Sequence, residues 1–234
     1  MKTYKRYRYP SQIISHAVWL YHRFTLSFRD IEDILAARGV IVSYETIRQW
    51  CLKITSPITR QLKKKQGKLG DEWYLDEVFI KLNGKTHYLW RAVDQDGCEL
   101  DVFVSKRRNK KAALKFFRKL FKTQSRKPNV IITDKLPSYK AALRDMGVKI
   151  KHNTRQYANN IAEISHQKTR QQQRQMRNFK SIKHAQKFLA NHGLINNLFR
   201  HQRHLAKAST YRLLREESFS TWSQTSCAQN LVIA

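Results

Sequence analysis

Three β-rich runs joined by two tight turns, then alternating helical and strand periodicity, leave few folds open to residues 73–192. The runs are Trp73–Lys81, His87–Val93 and Glu99–Ser105, and Asn83-Gly84 and Asp96-Gly97 supply turns between them. Lys110–Phe121 then places Ala113, Phe116, Phe117 and Leu120 at helical spacing. Val130–Asp134 is a short apolar strand, Ser138–Asp145 a helix ended by Gly147, and Val148–His152 a last strand. A long polar helix from about Asn160 to Phe179 and another from Ser181 to His192 complete the series. The helical crossover makes the fourth strand parallel to the first, and sets the two side by side at the sheet centre.

That order is the ribonuclease H-like one: an α/β domain with a mixed five-stranded sheet and flanking helices. An all-α segment precedes it. Ile13, Ile14, Ala17, Val18 and Tyr21 form one helical stripe. Ser27 and Asp30 nearly match a capping box for a second helix that Gly39 ends, and Ser43 caps a third carrying Ile47, Trp50, Cys51 and Ile54 inward. Such a triplet describes a helix-turn-helix unit, with Tyr44, Glu45, Arg48, Gln49 and Lys53 on the outward face of its third helix. A small helical cap for the next domain is the plainer reading. The net charge of +29 favours DNA. The expected organisation is a helix-turn-helix domain over 1–60, a basic linker over 61–72, the sheet domain over 73–205 and a tail over 206–234. The stretch from Thr55 to Gly70, with Lys63-Lys64-Lys65, reads as a linker or as a helix end that runs into one, and the tail, rich in Ser, Thr and Gln from Glu216, as a disordered or frame-altered end.

The three cysteines, Cys51, Cys98 and Cys227, form no C-x-x-C pair, so neither a disulfide framework nor a zinc ribbon is indicated. No run approaches the ~20 apolar residues of a membrane span, and no signal-peptide apolar region follows the basic start. A cytoplasmic, nucleoid-associated protein without a membrane partner is expected.

Asp76 lies inside the first strand, where aspartate is disfavoured, and Asp134 ends the fourth, at the carboxyl end where open α/β sheets bind ligands. The fold therefore brings two carboxylates together, which repel unless a proton or cation lies between them. Hard oxygen donors suit Mg²⁺ or Mn²⁺. Glu163 is the third candidate, the lone acid between Met146 and Arg215; its spacing from Asn160 also fits a simple helix cap. Glu77, next to Asp76, is expected on the opposite sheet face, excluded from the site unless the strand is bulged. Asp94, Asp96 and Asp145 have turn or cap explanations.

Several ordered motifs carry a family resemblance. They are Tyr7-Arg-Tyr-Pro10, Ser27–Leu35, Ser43–Trp50, Trp73-Tyr-Leu-Asp-Glu77, Tyr88–Asp94, Thr133-Asp-Lys135, Asn159-Asn-Ile-Ala-Glu163 with His166, and Phe179-Lys-Ser181. With them the chain resembles bacterial insertion-sequence transposases of the DDE class, most closely the insertion sequence six family, as far as about Leu205. The resemblance implies catalytic, metal-binding acids at Asp76, Asp134 and Glu163 and two divalent ions. It also implies cleavage at the element's ends to free 3′-hydroxyls, their attack on target DNA, a replicative cointegrate, and a homo-oligomer assembled on double-stranded DNA. Only 28 residues separate Asp134 from Glu163, fewer than in many members, and the shortening falls around Gly147. Lys135, His166 and Arg170 are the candidate phosphate contacts near the acids; Tyr44, Arg48, Gln49 and Lys53 are those of the reading helix. Trp90 and Tyr139 are candidate base-stacking rings, with core packing the plainer reading for Trp90. His201-x-x-His204 lacks a third ligand close in sequence for zinc. Two rivals share parts of this pattern: a non-catalytic helix-turn-helix regulator, which leaves the acids unexplained, and a ribonuclease H-like nuclease, which has no need of end recognition.

Overall fold

The computed structural model describes residues 4, 7–155, 158–162, 171, 179–201 and 205–227. The chain divides into two units, Lys68–Gly193 and Met1–Gly67 with Leu194–Ala234.

The first contains the sheet. β1 (Glu72–Leu82) pairs antiparallel with β2 (Lys85–Asp94) across a turn in which Asn83 and Gly84 both take positive φ, 49° and 76°. β3 (Glu99–Ser105) pairs antiparallel with β2, after a turn whose amides at Asp96 and Cys98 donate to Asp94 Oδ1. β4 (Val130–Thr133) and β5 (Lys151–Asn153) run parallel to β1 and β4 respectively, giving the order β3-β2-β1-β4-β5. This is the ribonuclease H-like topology expected from the element order, with β1 central beside β4.

α4 (Lys110–Gln124) and α5 (Pro137–Asp145) cover one face, where Phe116, Phe117, Leu120, Tyr139 and Ala142 pack on Trp73, Leu75, Trp90 and Ile131. Asn109 caps α4, its side chain accepting from Ala112 N at 3.0 Å. α6 (Ile182–Leu198) bonds β3 through Gln186, which accepts from Val104 N and donates to Val102 O, both at 2.9 Å. Trp90 is core, its indole N–H donating to Ser105 Oγ at 2.8 Å.

In the other unit, α1 (Ser11–Arg23), α2 (Phe28–Ala36) and α3 (Tyr44–Lys65) pack through Ile14, Val18, Ile31, Leu35, Ile47 and Trp50. The capping box at α2 is complete: Ser27 Oγ accepts from Asp30 N, and Asp30 accepts from Ser27 N at 2.7 Å.

Of the two readings of the basic stretch, the helix end holds: α3 runs through Pro57 to Lys65, and Ile54, Ile58 and Leu62 prolong its buried stripe past the proline. The tail differs from expectation. The expected tail holds a helix, α7 (Ala208–Ser226), whose Phe219 and Trp222 rings contact Phe199. Trp19 of α1 also meets Phe199 and Phe219.

Candidate active site

β1 has eleven residues and β4 four, and their parallel register ends with Leu75 beside Thr133. Asp76 and Glu77 thus continue β1 past the end of β4, and Asp134 is the first residue beyond that end. Pleating sends the two β1 side chains to opposite faces. With no strand among the described residues on that edge, carboxylates from both faces can lean round it towards Asp134. Asp76, Glu77 and Asp134 each offer an oxygen, and these oxygens lie within 4.8 Å of one another. The β1–β2 ladder is regular there, Asp76 opposite Arg91 and Glu77 opposite Trp90. The expectation that only a bulge would admit Glu77 is therefore corrected: the early end of β4 does so.

Each acid is held differently. Asp134 Oδ1 accepts from Leu136 N at 3.0 Å, and the Thr133 hydroxyl donates to the Asp134 carbonyl at 2.6 Å while lying 2.9 Å from His152 Nε2. Opposite Asp76, Arg91 extends to Glu99 Oε2 at 2.7 Å, a pair nearly sealed from solvent. Glu77 is buried, and both its oxygens are engaged: Oε1 accepts from Arg108 Nε at 2.6 Å and Oε2 from the Tyr139 hydroxyl at 2.6 Å. Burial pushes Glu77 up to about 7; the Tyr139 bond opposes this, Asp134's charge adds to it, and the Arg108 bond pulls the other way. Burial, with the Glu77 charge, holds the Tyr139 hydroxyl well above its ordinary value. Arg108 also approaches Asp134 Oδ2, at 3.5 Å through Nη2.

Three clustered carboxylates at a strand end form a donor set that fits a hard divalent cation. Asp76 and Asp134 fit it best, because Glu77 would have to give up a hydrogen bond to act as a ligand. Lys135 is exposed beside Asp134. Glu163, His166 and Arg170, the remaining expected members, lie outside the described residues. So do Arg174 and Arg177, which with Arg170 are expected to add positive charge along the helix of Glu163.

Sequence reading missed Glu77, Arg108 and the true place of Tyr139, which is fully buried and offers no stacking face. A second acid directly after Asp76, inside a strand, was one signal, and Arg107-Arg108 directly before the Asn109 cap was another.

On α3, Tyr44 and Lys53 are exposed, Arg48 and Gln49 partly so, and Ile47 and Trp50 buried, as the helical stripe requires. Glu45 accepts from Arg48 Nε at 2.7 Å and from Gln49 Nε2 at 2.9 Å, bonds that pull its carboxyl down to about 2. Arg29 lies over the Tyr44 ring, 4.4 Å from its centroid. Beside them Tyr7, Arg8, Tyr9, Gln49 and Lys53 line a pocket of about 480 Å³. No described helix is long and apolar enough to cross a membrane.

Residues 70–202 match a family model described as a DDE domain. The transposase for insertion sequence-like element IS431mec of Staphylococcus aureus is 41% identical over 170 residues, 70% of this chain and 75% of that one. The transposase for insertion sequence element IS257 in transposon Tn4003, also from Staphylococcus aureus, is 40% identical over the same shares. Among solved structures, the trimeric form of the HTLV-2 integrase catalytic core domain in complex with magnesium is 18% identical, with a TM-score of 0.37 over 68% of this chain and 87% of that chain. The catalytic core domain of BIV integrase is 15% identical, with a TM-score of 0.40 over 67% and 99%. With the family model covering more than half of the chain and the staphylococcal transposases matching most of their length, the chain belongs to the DDE transposases of bacterial insertion sequences.

Proposed function

We propose that this transposase binds the terminal inverted repeats of its element, cleaves there to free 3′-hydroxyls, and joins them to target DNA as a replicative cointegrate. The observation that carries the reading is the meeting of Asp76 and Asp134 where β4 stops short of β1. Both acids are assigned to metal binding and catalysis, with Glu163 as the third. Divalent ions, Mg²⁺ or Mn²⁺ and two in number, would supply Lewis acidity at the scissile phosphate and an activated oxygen nucleophile. Around them this chain's residues position the DNA: Lys135, His166 and Arg170 hold phosphates near the acids, without sequence information. Residues 1–60 supply end recognition, with Tyr44, Arg48, Gln49 and Lys53 on the reading helix. In the DNA-free protein Glu45 holds Arg48 through Nε and Nη2 and Gln49 through Nε2, on one side of the helix, and base edges would take over these donors on binding. The protein acts in the cytoplasm on the nucleoid, as a homo-oligomer assembled on DNA.

The test is strand transfer. A labelled duplex carrying the element's end, incubated with the protein, Mg²⁺ and a plasmid, is expected to give end-to-plasmid joints that a chelator abolishes. Tight end binding with no cleavage would instead mark a regulator. Degradation of any duplex without joining would mark a nuclease.

A further inference from the structure

Among the described residues, Arg108 has a guanidinium corner left over. Its Nε and Nη2 are both taken by Glu77 Oε1, and Nη2 also reaches Asp134 Oδ2, whereas Nη1 has no partner. The side chain remains 36% exposed at the acidic cluster, so a ligand arriving from solvent can reach the guanidinium. Its aim is fixed from beneath: Tyr139, fully buried in the α5 face of the core, holds the second oxygen of Glu77. From above, the Asn109 cap pins the backbone where α4 begins. A carboxylate occupied on both oxygens is poorly placed to ligate a metal. It is well placed to orient an arginine, whose planar fork can grip a carboxylate along one edge and a phosphate along another.

We propose that Arg108 is a substrate-phosphate ligand of the catalytic site, its Nη1 donating to a non-bridging oxygen of the scissile phosphodiester, with Glu77 and Tyr139 as its positioning residues. The assignment rests on the transposase reading above and adds a role that the acids cannot fill. In the DNA-free protein Arg108 competes with a cation for Asp134. In the loaded site it stays on Glu77 and stabilises the charge that builds on the phosphate during attack.

This arrangement has a signature of opposite signs, which a merely structural residue would not give. The full-length protein and its Arg108→Gln, Arg108→Lys, Glu77→Gln and Asp76→Asn variants are compared in two assays. One is Mn²⁺ titration without DNA, followed by the paramagnetic resonance of the free ion. The other is single-turnover 3′-end cleavage at saturating Mn²⁺. Arg108→Gln is expected to bind Mn²⁺ as tightly as wild type or more tightly, because the competing cation is gone. It is expected to cleave roughly 100-fold more slowly, the usual cost of one lost donor to a transition-state oxygen. Arg108→Lys should recover part of that loss, and Glu77→Gln should keep Mn²⁺ binding that Asp76→Asn loses. An Arg108→Gln protein cleaving as fast as a competent wild type overturns the phosphate contact and leaves the transposase reading intact. Loss of Mn²⁺ binding in Glu77→Gln also overturns it, by making Glu77 a metal ligand. Wild-type protein that never cleaves in any divalent metal overturns both.

Discussion

At His22, burial pushes the imidazole down to about 3, with Nε2 3.2 Å from the Thr55 hydroxyl. The ring is neutral when folded and takes a proton below its ordinary value of 6.5 when unfolded. The unfolded chain therefore binds more protons, so this contribution to stability is complete above about pH 6.5 and is lost as pH falls towards 3, by up to about 1.4 kcal/mol per pH unit. Denaturant melts from pH 7 to 5 should show that slope in the wild type and a shallower one in His22→Gln. Equal slopes would place the titrating group elsewhere. Single residues were legible where their cost was local. Asp76 and Asp134 stand out because aspartate is misplaced in a strand and at home at a strand end. Glu77 was misjudged because alternation of faces is a rule about one strand, whereas its access depends on where the neighbouring strand stops.

At the scale of elements, the signals that carried were caps and turns. The Ser27–Asp30 reciprocal bonds, Asn83-Gly84 and the Asp94 turn all form where the short-range chemistry says they should. Ser27→Ala removes one half of the capping box and should cost about 1 kcal/mol in the N-terminal unit, read by thermal or denaturant melts. Less than a few tenths would mean the α2 terminus is held by packing alone. The end of α3 was only half legible, because a lysine run suits a solvated helix face and a linker equally, and it is Ile58 and Leu62 that keep the apolar stripe buried to the end. The reading role of that helix predicts a split. Arg48→Ala and Gln49→Ala should relax discrimination between end and scrambled duplexes by about 1–3 kcal/mol per lost base contact. Lys64→Ala should weaken both duplexes alike and lower the salt slope by about one phosphate contact. Equal losses on both duplexes for Arg48→Ala would remove α3 as the reading head.

Over the whole molecule, the sheet domain was legible from element order because crossover handedness and turn chemistry allow one topology. The C-terminal helix was not, because its Ser, Thr and Gln composition hides a few large apolar anchors. Trp222 is one, buried among Phe199 and its neighbours. Deleting residues 206–234 should lower the melting midpoint of the unit they share with α1–α3 and weaken end binding with it. Trp222→Ala should cost about 3–5 kcal/mol, and a truncated protein as stable as the full chain would make α7 dispensable. The account stands most directly on the two acids at the end of β4. In single-turnover cleavage of an element-end duplex with Mg²⁺, scored beside binding of the same duplex, Asp76→Asn and Asp134→Asn are each expected to bind like the wild type and to cleave slower by orders of magnitude. Cleavage at the wild-type rate by either variant would contradict it.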